Sequence, residues 1–353
     1  MMKERSISRG PVLGVALCAF AVAFASAAAE PLPYAGPESD GVSQEGLDTL
    51  KALLEETHTH AAVILHEGKI IAEWYWLGDG PNTTYEAWST SKSFASTCIG
   101  CLIDDGKVGS IEDKVSKYIP SWSEGQKAKV TLAHILDQTS GLEEGETSVF
   151  ATSKDQIKLA LEADILTEPG EVGRYNNAAC NVLSAIISSA SGKDPEAYMR
   201  ERVWKRIGMD QTWWRRDAAG NVITYAGIQT TARELARFGL LHLNQGTWKG
   251  ERILSEEWIE AATHERTRLA IQGFGEGAPY GLLWWLDFGV DEGVPHNFSS
   301  LGLFGNNMTV IPELDLVGVR LVGNDREGMP LMMRTPEWVA ALAGVVNAAV
   351  VTD

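Results

Sequence analysis

Two hairpin patterns at opposite ends of this 353-residue chain constrain its fold more than any other feature. Residues 62–65 and 70–76 are rich in apolar and β-forming side chains, and His66-Glu67-Gly68-Lys69 between them reads as a turn. Near the other end, residues 308–312 and 316–322 flank Glu313-Leu314-Asp315 in the same way. From about 130 to 240 the chain reads mainly as helices joined by Gly/Pro turns, with runs at 131–138, 177–189 and 231–244. A sheet built from both termini, with a helical region inserted between them, accommodates all of this. The expectation is an α+β fold: a mainly antiparallel sheet flanked by helices, with a sheet lobe from residues 45–95 and 245–353 and a helical lobe from 96–244.

Three further helices are marked. Leu47, Leu50, Leu53 and Leu54 recur at helical spacing behind Ser43, a fitting cap. After Trp88 the pattern is helical until Asp105-Gly106 ends it, and Thr335-Pro336-Glu337 opens a terminal helix with Thr as cap and Pro at the first helical position.

Composition is that of a globular protein, 44% hydrophobic and 22% charged, which excludes disorder, collagen-like repeats and a coiled coil. A formal charge of −17 with no basic cluster excludes nucleic acid as a partner, because phosphates require a Lys/Arg surface. The N-terminus has the layout of a secretory signal peptide. Lys3, Arg5 and Arg9 precede an apolar run over 11–26, and Ala27-Ala28-Ala29 offers a small-residue cleavage site. Residues 1–29 are expected to be removed on export to the periplasm or medium, without stable membrane insertion. Cys18 is not a lipid attachment site on this reading, because Leu17 stands where a small residue is needed. Of the remaining cysteines, Cys98 and Cys101 form a C-x-x-C inside a helical pattern, which favours packing over redox chemistry. A disulfide from Cys180 to one of them stays open, and the odd count leaves a free thiol.

The search for chemistry begins with what is missing. There is no G-x-S-x-G elbow, so an α/β-hydrolase is disfavoured. His58 and His60 are the only close histidine pair and lack an H-E-x-x-H, so they read as solvated or satisfied side chains rather than metal ligands. What does appear is Ser89-Thr90-Ser91-Lys92, the only S-x-x-K in the chain, at a strand-to-helix switch. Residues three apart at a helix start share a face, so the amine reaches the hydroxyl. An amine shielded from water can take the hydroxyl's proton, and the helix N-terminus favours negative charge at the site. Tyr175-Asn176-Asn177 is the only Y-x-N, on a loop after Pro169-Gly170 and before a helix. A phenol beside an amine can relay protons, and an amide can hold the amine and donate to a carbonyl. Taken alone, each motif is matched by a bland reading: a surface Lys on a helix, and a core Tyr beside a turn Asn.

Together the two motifs resemble the serine β-lactamase and penicillin-binding group, especially the class C-like branch that also holds DD-carboxypeptidases, esterases and 6-aminohexanoate-dimer hydrolases. The Ser89 to Phe94 block carries the likeness, with Asp105-Gly106-Lys107, residues 115–120, Thr139-Ser140-Gly141-Leu142, residues 230–239, Tyr280-Gly281 and Gly305 following in the family's order over most of 45–325. The resemblance implies Ser89 as acyl-forming nucleophile, Lys92 as its activator, Tyr175 as general base or relay and Asn177 as positioning amide. It implies no metal and no organic cofactor. The Ser89 amide would be one oxyanion donor, with the amide of Leu303, after Gly302, as the second.

One departure narrows the substrate. Penicillin-recognising members carry Lys-Thr-Gly or His-x-Gly on the strand lining the site, whereas this chain has Ser300-Leu301-Gly302 there, His296 four residues early and no lysine after Lys249. A β-lactam carboxylate loses its usual partner, so an ester or small amide is the expected substrate. The alternatives are a β-lactamase or cell-wall DD-carboxypeptidase, or a non-catalytic peptidoglycan- or penicillin-binding module. Of the twelve tryptophans, Trp213-Trp214 and Trp284-Trp285 are expected mainly in the core, with Trp88 and one of Trp284 and Trp285 candidates to line an apolar acyl pocket. Arg233 and Arg237 are expected on a solvated or salt-bridged face.

Overall fold

A computed structural model describes residues 30–271, 274–290, 293–323 and 335–346. The expected signal peptide therefore lies outside the described residues. The chain opens with α1 (Gln44–Glu56), capped by the Ser43 hydroxyl accepting the Gly46 N–H at 3.1 Å, with Leu47, Leu50 and Leu54 buried beneath it. The first hairpin follows as β1 (Ala61–His66) and β2 (Lys69–Tyr75), then a short β3 (Tyr85–Trp88) and α2 (Ser91–Asp104). The middle of the chain supplies α3 (Leu132–Leu136), α4 (Thr147–Thr152), α5 (Gln156–Glu162), α6 (Asn177–Ser191), α7 (Pro195–Met199) and α8 (Lys205–Ile207). After β4 (Trp213–Trp214), β5 (Ile228–Thr230) and α9 (Ala232–Leu243) come β6 (Thr247–Trp248), β7 (Glu251–Arg252) and α10 (Glu256–Ala262). The chain closes with β8 (Thr267–Ile271), β9 (Phe274–Tyr280), β10 (Trp285–Leu286), β11 (Phe298–Leu301), β12 (Asn307–Ile311), β13 (Leu316–Leu321) and α11 (Thr335–Ala343). Thr335 is the first residue of α11 rather than its cap, a one-residue shift at a helix end.

Eight strands form one antiparallel sheet in the order β2-β1-β13-β12-β11-β10-β9-β8, so the N-terminal hairpin is stitched to the C-terminal one through β1 and β13. Val63 faces Val319 across that seam. Strands β1, β11, β12 and β13 are buried along their whole length, which requires both faces to be covered. Successive residues point to opposite faces. On one, a Cβ at Gly239 of α9 would lie 2.6 Å from Val317; on the other, a Cβ at Gly318 would lie 2.5 Å from Leu342 of α11. Glycine at these points lets each helix sit close to the sheet. Helix α9, which sequence order groups with the inserted helices, thus belongs to the sheet packing, against β1, β12 and β13.

The three described cysteines are free and buried, without a disulfide between Cys180 and the C-x-x-C. Burial pushes the Cys101 and Cys180 thiols up, to about 12 and about 11, which leaves them packing groups rather than nucleophiles. His60 is buried with Nδ1 3.1 Å from the Asp79 carboxylate. Trp214, Trp284 and Trp285 are core, whereas Trp213 is 45% exposed. Arg233 is bidentate to Glu73, at 2.8 and 2.5 Å. Arg237 departs from the expected solvated face: it is buried, and donates to the carbonyl oxygens of Ile207 and Glu30.

Candidate functional site

The nucleophile turn is built by conflict between a strand and a helix. Trp88 ends β3 at φ 52°, a left-handed conformation unusual for an aromatic residue, and this swings the chain into α2. Ser89 sits in that turn, half-buried and reachable, just ahead of a helix whose first residues are all buried. The turn is pinned from two sides. The Ser91 hydroxyl donates to the Trp88 carbonyl at 2.6 Å and accepts the Ile228 amide of β5 at 2.8 Å. Thr90 and Ser300 exchange hydroxyl-to-carbonyl bonds at 3.4 and 3.3 Å, tying the turn to β11.

Lys92, the second residue of α2, is only 2% exposed. Its Nζ lies 3.0 Å from Ser89 Oγ, 2.8 Å from Asn177 Oδ1 and 2.9 Å from the Tyr225 carbonyl oxygen. Burying an amine is costly unless each of its hydrogen-bonding positions is met, and here three oxygens surround it. Asn177 is the first residue of α6; the preceding Asn176 caps that helix by accepting the Ala179 N–H at 2.7 Å. The backbone N–H of Asn177 donates to Glu144 Oε1 at 3.1 Å.

Tyr175 stands beside this cluster with its ring toward the amine: Lys92 Nζ is 4.6 Å from the ring centroid. The ring stacks on Trp285 at 5.6 Å and 23°, and Tyr280 meets Trp285 edge-on at 4.7 Å. Burial pushes the Tyr225 phenol up to about 12 and holds the Tyr280 phenol well above its ordinary value, so both are neutral hydroxyls near pH 7.

On the opposite wall, Gly302 follows β11, and its N–H donates to the Asn306 carbonyl at 2.7 Å. Leu303 then opens a single 3₁₀ turn, with Phe304 at φ 64°. A first-turn amide has no partner within its own turn. The Leu303 carbonyl, by contrast, is held by the Asn306 side chain at 2.7 Å. Trp88 and Phe304 meet edge-to-face at 5.9 Å, forming an aromatic wall between the nucleophile turn and the end of β11.

The structure thus brings Ser89, Lys92, Tyr175 and Asn177 into one cluster, and sets the Gly302-Leu303 corner against the Ser89 turn from β11. Four contributors had no sequence signal of their own. Tyr225 acts through its backbone oxygen, Glu144 lies in a segment without a spacing rule, Thr90 lies inside the S-x-x-K itself, and Ser300, though part of the Ser300-Leu301-Gly302 triplet, gave no sign of its bond to Thr90.

Comparison with known proteins agrees with this arrangement. A 6-aminohexanoate-dimer hydrolase of Paenarthrobacter ureafaciens is 27% identical over 299 residues, covering 78% of this chain and 75% of that protein. A penicillin-binding protein homologue from Caulobacter crescentus superposes with a TM-score of 0.69 at 18% identity, over 86% of this chain and 98% of that one. A family VIII carboxylesterase does so with a TM-score of 0.69 at 17% identity, over 86% and 98%; both of these are likenesses of fold. The family model described as Beta-lactamase matches residues 48–342, nearly the whole described chain, and the protein belongs to that family of serine hydrolases.

Proposed function

We propose that this protein is an exported hydrolase that cleaves esters or small amides through an acyl-enzyme on Ser89. The observation that carries the reading is the buried Lys92 amine 3.0 Å from Ser89 Oγ, with its other two contacts taken by fixed acceptors. A neutral amine has two N–H groups and one lone pair. With the N–H groups donated to Asn177 Oδ1 and the Tyr225 carbonyl, the lone pair is directed at the Ser89 hydroxyl. Ser89 Oγ bonds to the substrate carbonyl carbon as its proton passes to Lys92. Collapse of the tetrahedral adduct breaks the bond to the alkoxide or amine, which leaves with a proton relayed from Lys92 by way of Tyr175. Water then attacks the acyl-enzyme, gives up a proton along the same path and frees Ser89. The amides of Ser89 and Leu303 are assigned the developing oxyanion.

Charge supports an ester or amide over a β-lactam. The Ser300-Leu301-Gly302 segment offers no cation. The relatives named for 6-aminohexanoate dimers and for carboxylesters support the same two bond types. Export rests on the basic start, apolar run and alanine triplet of residues 1–29.

The test is release of p-nitrophenol from short-chain esters by the mature protein beside Ser89→Ala. Turnover that disappears in the variant supports the reading, and equal rates in both proteins refute it. Nitrocefin turned over with a kcat/KM as high as the esters would move the assignment to a β-lactamase.

A further inference from the structure

Tyr175 is bracketed by a single residue that belongs to neither catalytic motif. Gln138 follows α3 and is 1% exposed. Its backbone carbonyl accepts the Arg174 N–H at 2.8 Å, and its side-chain Oε1 accepts the Asn176 N–H at 2.7 Å. The amides on either side of Tyr175 therefore end on one residue. The other end of the carboxamide is also fixed, with Nε2 donating to the Ile135 carbonyl at 3.0 Å and to Cys180 Sγ at 3.3 Å. Gln138 makes these four contacts from a backbone at φ 66°, a conformation a non-glycine residue adopts only where its surroundings hold it. The same turn braces the far side of the Tyr175 ring. The Leu136 carbonyl accepts the Leu283 N–H at 2.9 Å, two residues before the Trp285 on which Tyr175 stacks.

Asn177 is anchored separately, by Glu144 and by its place in α6. The tie to Gln138 reaches Tyr175 through the amides on both sides of it, and also steadies the start of α6 through Asn176 and Cys180. We infer that Gln138 is the positioning residue of Tyr175, setting the phenol's place relative to Lys92 without touching substrate. This inference rests on the proton-relay role proposed above for Tyr175.

The experiment is a double-mutant cycle on p-nitrophenyl ester hydrolysis by the mature protein. Gln138→Met keeps the length and apolar volume but removes the amide. It is expected to lower kcat about 10- to 100-fold with KM within about twofold, because a displacement near 1 Å of a reacting group costs about that much. In a Tyr175→Phe background the same change is expected to cost less than about threefold, since the group it positions is already gone. A purely structural role predicts the same loss in both backgrounds, and that result, or a Gln138→Met enzyme with unchanged kcat, overturns the inference. Gln138→Asn withdraws the amide by one methylene. It repeats the cycle with the same criteria if Gln138→Met does not give folded protein. Ser89→Ala in the same series separates the two levels. Activity surviving in that variant refutes the proposed hydrolase, whereas a dead Ser89→Ala beside a fully active Gln138→Met refutes only the inference. Full activity in Tyr175→Phe alone overturns both the relay and the role assigned to Gln138.

Discussion

Gly302 gives the sharpest test of the oxyanion assignment. A Cβ built on it would lie 2.1 Å from the Ala87 carbonyl oxygen and 3.1 Å from the Ala87 carbonyl carbon. Gly302 itself is extended, at φ −116° and ψ 162°, so alanine meets no backbone penalty and the whole effect is the collision. Restoring an ordinary carbon–oxygen contact needs a retreat of about 1 Å by the end of β11. The Leu303 amide is the next peptide along and moves with it, while Ser91 holds the Ser89 turn to the Trp88 carbonyl and to the Ile228 amide of β5. Loss of one oxyanion donor costs about 2.7–4 kcal/mol, roughly 10²–10³ in kcat, with little change in KM. Gly302→Ala is therefore expected to lose about 10²-fold or more in kcat on p-nitrophenyl esters. Overpacking also costs about 1–3 kcal/mol of stability, which urea unfolding reads separately. Gly46→Ala is the control: its Cβ would lie 1.9 Å from the Gly344 carbonyl oxygen, remote from the site, so it should lower stability and leave kcat unchanged. A Gly302→Ala enzyme that is folded and within about threefold of the parent kcat would refute the assignment of the Leu303 amide.

Two other outcomes follow from buried groups. Lys92→Met strands two acceptors and removes the base, so kcat should fall roughly 10²–10⁴-fold, and Lys92→Arg should not restore it, because a guanidinium does not give up its proton; recovery in the arginine variant would show that the charge, rather than the proton transfer, matters. His242 is fully buried between the Phe238 carbonyl and Thr97, and burial pulls it down to about 4. The unfolded chain then binds the extra proton first, so stability is whole above pH 6.5 and falls by roughly 3 kcal/mol as pH drops to 4. The loss of unfolding free energy between pH 7 and 4.5 should be visibly smaller in His242→Gln, and an equal loss in both proteins would sink the attribution.

The elements that read correctly from sequence are those whose signal is local. The two hairpins carry β-forming runs around compact turns, and α1, α2, α6 and α9 carry apolar periodicity with a cap or a terminator within a few residues. In the candidate site the same holds for Ser89 and Lys92, whose i to i+3 spacing at a helix start fixes their separation whatever surrounds them. What stayed hidden was contact across long separations. The disposition of Arg237 was misread because its partners, Ile207 and Glu30, lie 30 and 207 residues away. The part of Gln138 was invisible because half of its grip on Tyr175 is made by a backbone oxygen, which every residue carries.

The sequence by itself determined the helices and hairpins, the motif pair and the want of a cation in the Ser300-Leu301-Gly302 segment, since each depends on residue type and spacing along the chain. Only the tertiary structure decided that the amine at 92 is buried among three oxygens, that Tyr175 presents its ring to that amine from a loop held by Gln138, and that the end of β11 closes against the nucleophile turn. The physical reason is that these features depend on distances between segments 36 to 210 residues apart, and such distances exist only once the sheet has joined the two ends of the chain and the helices have packed onto it.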